Sequence, residues 1–140
     1  MNPQAIFLPA LAMVVLTFFV WWRMYFMRLG QMRRDRIHPQ TVASSGQAAA
    51  LLTDSRAADN FRNLFELPVL FYLALVVAHQ TDLVTPALLV LSWLFVILRA
   101  VHSAIQCTYN KVMHRFLAYA IGGLVLWILW GLLGLGLLKG

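Results

Sequence analysis

Eight polar side chains occur in apolar surroundings at spacings that could assemble a binding site. They form three sets: Arg62, Asn63 and Glu66; Arg99, His102 and Gln106; Arg115 and Tyr119. Residues three or four apart lie on one side of a helix, so each set is predicted to share a helix face. Arginine binds carboxylates through a planar fork and stays charged when buried. Several basic groups around the single carboxylate of Glu66 therefore predict a site for a small anion, to which Tyr119 could donate a hydrogen bond.

The elements that position these side chains are predicted to be membrane helices. The 140 residues are 61% hydrophobic and 11% charged, whereas soluble proteins are about 45–50% apolar and roughly 25% charged. The apolar residues form long runs, and a bilayer core of ~30 Å needs about 20 helical residues. The sequence therefore predicts an all-α, integral membrane four-helix bundle, a single domain over residues 1–140. Its spans are predicted at approximately 5–27, 60–79, 83–106 and 115–138.

The second and third spans are short of apolar residues. Only 12 residues separate Glu66 from His79, which is about 18 Å of helix. The charge-free run 83–98 has 16 residues, again fewer than the ~20 that a full crossing needs. Both helices must draw in polar residues at one end, so the three polar sets are predicted to lie at a similar depth.

The basic residues predict the orientation of the chain. The connection 28–58 is basic, and ten of the eleven lysines and arginines fall on its side of the membrane. This side is predicted to be cytoplasmic, with both termini on the non-cytoplasmic side. The same bias accounts for the net charge of +6 without a nucleic-acid partner. A single cysteine, Cys107, excludes an intramolecular disulfide and a thiolate metal cluster, and no metal site is predicted.

Each polar set also has a purely structural explanation. Glu66 could form only an ion pair with Arg62 or Arg99. His102 could simply bond a neighbouring helix, and Arg115 could anchor the start of its helix at the interface. The meeting of all three sets at one depth is what favours a functional interpretation, because ionisable groups inside a membrane are costly.

The polar sets resemble the signatures of the MAPEG family, the membrane-associated proteins of eicosanoid and glutathione metabolism, in its bacterial type. The resemblance rests on Arg62-Asn63-Leu-Phe-Glu66-Leu-Pro68, Arg99-Ala-Val-His102 and Arg115-Phe-Leu-Ala-Tyr119, and it covers most of residues 60–120. It implies a homotrimer in the cell membrane, here a bacterial inner membrane. It also implies glutathione as co-substrate, bound between adjacent subunits near the cytoplasmic face.

The resemblance assigns roles to the polar residues. Arg115 would stabilise the glutathione thiolate and Tyr119 would assist it as catalytic residues. The glutathione-binding residues would be Arg28, Arg62, Asn63, Glu66, Arg99 and His102. The implied activity is that of a glutathione-dependent transferase or peroxidase acting on lipophilic electrophiles that enter from the bilayer.

Three positions depart from the family pattern. Asp59 stands where many glutathione-binding members have an arginine, Gln106 replaces a tyrosine expected one turn after His102, and Phe116 follows Arg115 where eicosanoid enzymes often have a small polar residue. These departures favour a first alternative, a non-catalytic MAPEG-like membrane protein that binds a lipid or another anion. A second alternative is a small proton-coupled transporter that uses Glu66, the only glutamate in the chain.

Overall fold

The computed structural model describes residues 2–139, and all regular structure within them is helical. The helices are α1 (Phe7–Arg34), α2 (Ser45–Leu51), α3 (Arg56–Asn63), α4 (Leu67–Gln80), α5 (Pro86–Cys107) and α6 (Val112–Lys139), with short 3₁₀ turns at Pro3–Ile6 and Pro39–Val42. Four stretches are long and apolar enough to cross a membrane: Pro3–Arg34, Arg56–Gln80, Pro86–Cys107 and Val112–Lys139. The prediction of an all-α membrane protein with four spanning segments is confirmed.

The second spanning segment is not one continuous helix, which corrects the prediction of a single helix over 60–79. It is interrupted between α3 and α4 at residues 64–66. Pro68 explains the break, because it has no amide hydrogen and its ring clashes with the carbonyl of the residue four positions earlier, which is Leu64. Glu66 is consequently the N-cap residue of α4, and its backbone is non-helical.

The other helix boundaries follow local signals. The first helix continues beyond the predicted limit at residue 27 to Arg34. The apolar run ends earlier, but most of the residues that follow it still favour a helix. The third spanning helix begins at Pro86 rather than at residue 83, since the side chain of Thr85 caps it by accepting from the amide of Leu88 at 3.2 Å. The fourth begins at Val112, ahead of the predicted 115.

The packing places the third spanning helix at the centre of the bundle. The most extensive contact joins α5 and α6, while α1 packs on α3, α5 and α4. The core contains the stacked rings of Phe71 and Phe95, whose centroids are 4.5 Å apart. Large apolar side chains such as Phe19 and Leu124 are exposed on the outside. An apolar exterior around a packed interior is what contact with lipid requires.

Candidate functional site

Arg99 is the most deeply buried charged group of the bundle. Its side chain is 1% exposed, and its Nη2 donates to the backbone carbonyl of Asn63 at 3.1 Å. Its guanidinium carbon lies 5.0 Å from the ring centroid of Tyr119 and 5.7 Å from that of Phe95. Its Nε has no hydrogen-bond partner within residues 2–139. A buried donor without a partner is unusual in a folded protein, so Arg99 is a candidate binding group.

His102 does not face an open site, because it is 3% exposed and both of its ring nitrogens are engaged. Nδ1 lies 3.0 Å from the backbone oxygen of Arg115, and Nε2 lies 3.0 Å from Oε1 of Gln106. Gln106 is 1% exposed and also accepts from Nδ2 of Asn63 at 3.2 Å. The network Asn63–Gln106–His102–Arg115 therefore ties α3, α5 and α6 together.

The partners of His102 restrict its protonation. A backbone carbonyl can only accept, so Nδ1 must carry the hydrogen that bonds to Arg115. In a neutral imidazole Nε2 must then accept, which requires the amide of Gln106 to turn its NH₂ towards the ring and Asn63 to turn its oxygen to Gln106. The other arrangement needs an imidazolium close to Arg99, where two positive charges would repel each other. The neutral ring therefore fits the surroundings better.

Arg115 lies at the start of α6 and is held by the preceding turn. Its Nη1 donates to Oδ1 of Asn110 at 2.9 Å. Asn110 has a positive φ of 49°, and its amide bonds to the carbonyl of Ile105 at 2.9 Å. The ring of Tyr119 lies one turn further along, 5.8 Å from the ring of His102. Tyr119 thus joins the third polar set to the second through Arg99 and His102. Asn63 joins the first set to the second through Arg99 and Gln106.

Arg99, His102, Gln106 and Tyr119 form what is called here the Arg99 cluster. Three predicted site residues lie apart from it: Glu66, Arg62 and Arg28. All three are exposed. Glu66 forms no ion pair within the part of the chain that the structure describes, although its charge is close enough to act on Arg99. The sequence left open an ion pair of Glu66 with Arg62 or Arg99. Neither pair is formed among the described residues.

Arg28 and Arg62 instead line one small pocket between α1, α2 and α3, together with Asp54 and Asp59. Both carboxylates already have partners. Asp54 forms an ion pair with Arg56 at 2.8 Å, and this hydrogen-bonded guanidinium lowers the pKa of Asp54. Asp59 accepts from the hydroxyl of Ser55 at 2.6 Å. Neither Arg28 nor Arg62 forms an ion pair within residues 2–139, but Asp59 keeps its negative charge beside them.

Three polar residues that were not predicted from the sequence lie beside the cluster. Asn60 is completely buried; it accepts from Ser103 at 3.1 Å and donates to Sγ of Cys107 at 3.4 Å. Asn60 lies three residues before Asn63, and Ser103 four residues after Arg99, so helical spacing could have found both. Asn110 carried no such signal, because its role depends on the backbone of a turn.

The chain is a helical membrane protein in which Arg99, His102 and Tyr119 meet and form a candidate ligand site. The family model of the MAPEG family matches residues 6–135, which is nearly the whole chain, so the chain belongs to the MAPEG family. The resemblance found in the sequence is thereby confirmed. No curated protein and no solved structure matched the chain.

Proposed function

We propose that this chain is a glutathione-dependent transferase or peroxidase that acts on lipophilic electrophiles. The observation that carries the proposal is the buried guanidinium of Arg99, whose Nε is unpartnered among the described residues. A buried charge without an opposite charge is costly, and a ligand carboxylate would remove that cost. Membership of the MAPEG family supports glutathione, which carries two carboxylates, as that ligand.

The residues around Arg99 fit parts of such a ligand. Arg99 would bind one carboxylate through its unused Nε, once the side chains that cover this atom in the single chain move aside. Glu66, exposed and without an ion-pair partner in residues 2–139, would accept from the ligand's ammonium group. His102 would contact the ligand only after one of its nitrogens leaves its partner inside the protein.

Arg115 and Tyr119 are the residues we propose for the reaction itself. The sulfur attacks an electrophile as a thiolate, and a nearby guanidinium favours that form. Arg115 would supply this charge, and the Tyr119 hydroxyl would donate a hydrogen bond to the sulfur or to the leaving group. Glutathione supplies the nucleophile; the protein supplies the charge and the exclusion of water.

A homotrimer would complete the site. In one chain Arg28 and Arg62 line a pocket against α1 and α2, whereas Arg115 and Tyr119 lie on α6. The main contacts of α1 are with α3, α4 and α5, and those of α6 are with α5 and α4. We propose that the arginine pocket of one subunit faces the Arg99 cluster of the next, so that the ligand spans both. The basic connection would face the cytoplasm and both termini the opposite side.

A non-catalytic anion-binding membrane protein is the second candidate. It is favoured by Asp59, which lines the pocket of Arg28 and Arg62 and would repel a ligand carboxylate. Under this function the Arg99 cluster would bind an anion without activating it.

Calorimetric titration of the detergent-purified protein with glutathione and with S-methylglutathione tests the proposal. Both ligands should bind, and only glutathione should release a proton, seen as thiolate absorbance in the ultraviolet. Arg115→Ala should abolish the thiolate signal and keep S-methylglutathione binding, while Arg34→Ala, an exposed arginine outside the site, should leave both unchanged. Absence of binding to either ligand refutes the proposal. Binding of both without a thiolate in the unaltered protein selects the non-catalytic candidate.

A further inference from the structure

A groove at the basic end of α1 is lined by both apolar and cationic side chains. Its volume is about 450 Å³, and it is lined by Leu29, Met32, Arg33, Arg36, Ile37, His38 and Pro39. None of these residues belongs to the Arg99 cluster or to the pocket that contains Arg28 and Arg62. The groove is therefore a separate feature, and its mixed lining suits an amphiphilic ligand.

Arg36 occupies a backbone conformation that favours glycine. Its φ is 52°, and it follows the last turn of α1. The amide of Ile37 bonds back to the carbonyl of Met32 at 2.9 Å, which is the bond of a helix C-cap whose left-handed position is usually glycine. Glycine has no Cβ and adopts this conformation without strain. An arginine at a strained position suggests a role for its side chain.

The arginines around the groove differ in their partners. Arg34 forms an ion pair with Asp35, with Nε 3.1 Å from the carboxylate. Arg33 and Arg36 form no ion pair and no side-chain hydrogen bond with any residue in the described range 2–139. Two of three neighbouring guanidinium groups are therefore free to bind an external anion, and they are the two that line the groove.

The position of the groove along α1 indicates which anion it meets. Trp21 and Tyr25 lie at the level where aromatic side chains mark the membrane interface. Arg33 lies eight residues beyond Tyr25 on the same helix, or ~12 Å along its axis. The headgroup layer of one leaflet occupies about 5–7 Å of this distance, and long flexible arginine side chains can extend back towards it. Phosphate groups of the membrane are the anions within reach.

We propose that this groove binds an anionic phospholipid. Arg33 and Arg36 bind its phosphate, and its glycerol and upper acyl-chain atoms lie against Leu29, Met32 and Ile37. The proposal is independent of the glutathione function. It differs from the general attraction of basic segments to anionic membranes, because under that attraction Arg33, Arg34 and Arg36 would be interchangeable.

The test is a titration of the detergent-purified full-length chain with dioctanoyl phosphatidylglycerol, followed by the shift of the thermal melting temperature. Dioctanoyl phosphatidylcholine and inorganic phosphate are the comparison ligands. The expected result is stabilisation by phosphatidylglycerol alone. An equal response to phosphatidylcholine would overturn the proposal, and so would a response to inorganic phosphate alone at the same concentration, which would indicate a site for a free anion.

Three variants separate a built site from diffuse charge. Arg33→Gln and Arg36→Gly should each weaken phosphatidylglycerol binding about fivefold, the factor expected for one arginine near an anionic surface. Arg34→Gln removes the same charge and should leave binding nearly unchanged. Arg36→Gly should melt at the same or a higher temperature without lipid, because it relieves the positive φ. Equal weakening by Arg34→Gln and Arg33→Gln would overturn the proposal, and Arg33→Lys, which keeps the charge, serves as the folding control.

Discussion

Replacement of Gln106 by leucine should destabilise the protein through the loss of two buried hydrogen bonds. The side chain of Gln106 is 1% exposed and joins Asn63 of α3, at 3.2 Å, to His102 of α5, at 3.0 Å. Leucine has a similar size and no polar atom. The variant therefore removes the bonds without opening a large cavity, and leaves two polar groups without partners.

The expected loss of stability in Gln106→Leu follows from the hydrogen bonds that are removed and the polar groups that lose a partner. Side-chain hydrogen bonds between membrane helices contribute about 0.6 kcal/mol each on average, which is the value expected for the bond between Asn63 on α3 and Gln106 on α5. Leaving a buried polar group unsatisfied costs about 1–3 kcal/mol. We therefore expect Gln106→Leu to lower the free energy of unfolding by roughly 1–3 kcal/mol.

The assay is unfolding of detergent-solubilised protein by increasing sodium dodecyl sulfate, followed by circular dichroism at a fixed protein concentration. A double-mutant cycle with Asn63→Leu isolates the bond between the two side chains. The double variant should lose less than the sum of the single variants. Strict additivity of the two leucine variants would refute the network.

Two further predictions concern the turn before α6 and the ion pair before α3. Under the proposed function, Asn110→Gly keeps the positive φ but removes the acceptor that holds Arg115. Turnover at saturating glutathione should therefore fall roughly tenfold with KM nearly unchanged. Asn110→Asp should retain activity, and equal rates for the two variants would contradict this role. The pKa of Asp54 is lowered by its hydrogen bond to Arg56, so the pair stabilises the fold above the unfolded-state pKa of ~3.9 and loses this contribution as the pH falls through the lower pKa of the folded state. Because both side chains are partly exposed, Asp54→Asn should cost only a few tenths of a kcal/mol near pH 7, and thermal unfolding should show this difference disappearing in strong acid.

The meeting of Asn63, Arg99 and Tyr119 was predictable from two simple properties of the sequence. Helical spacing places residues three or four apart on one face, and the shortage of apolar residues in two spans sets the depth of that face. The structure brings these side chains together through the Arg99 contacts with the Asn63 carbonyl and the Tyr119 ring. The prediction that these three residues meet needed no assumption about the ligand.

The partners of His102 were not predictable in the same way. Spacing indicates which side of a helix a residue lies on but not which atoms of the next helix it meets. His102 shares a face with Arg99, yet its nitrogens bond the Arg115 carbonyl and Gln106. The glutamine that departs from the family pattern is what occupies Nε2. The structure shows His102 joining α5 to α6, and its contact with glutathione stays a prediction.

The separation of Arg28 and Arg62 from Arg115 shows the limit of an argument based on depth. Depth in the membrane is one coordinate, and residues at the same depth can lie on opposite sides of a bundle. The order in which helices pack supplies the other coordinates: α1 and α6 both pack on α4 and α5 but make no extensive contact with each other. We expect a ligand that contacts both groups to bind between adjacent copies, which can bring the α1 side of one to the α6 side of the next. Cyclic assembly joins unlike faces in this way. If glutathione contacts both groups, its affinity should depend on subunit association, and a monomeric form should lose it.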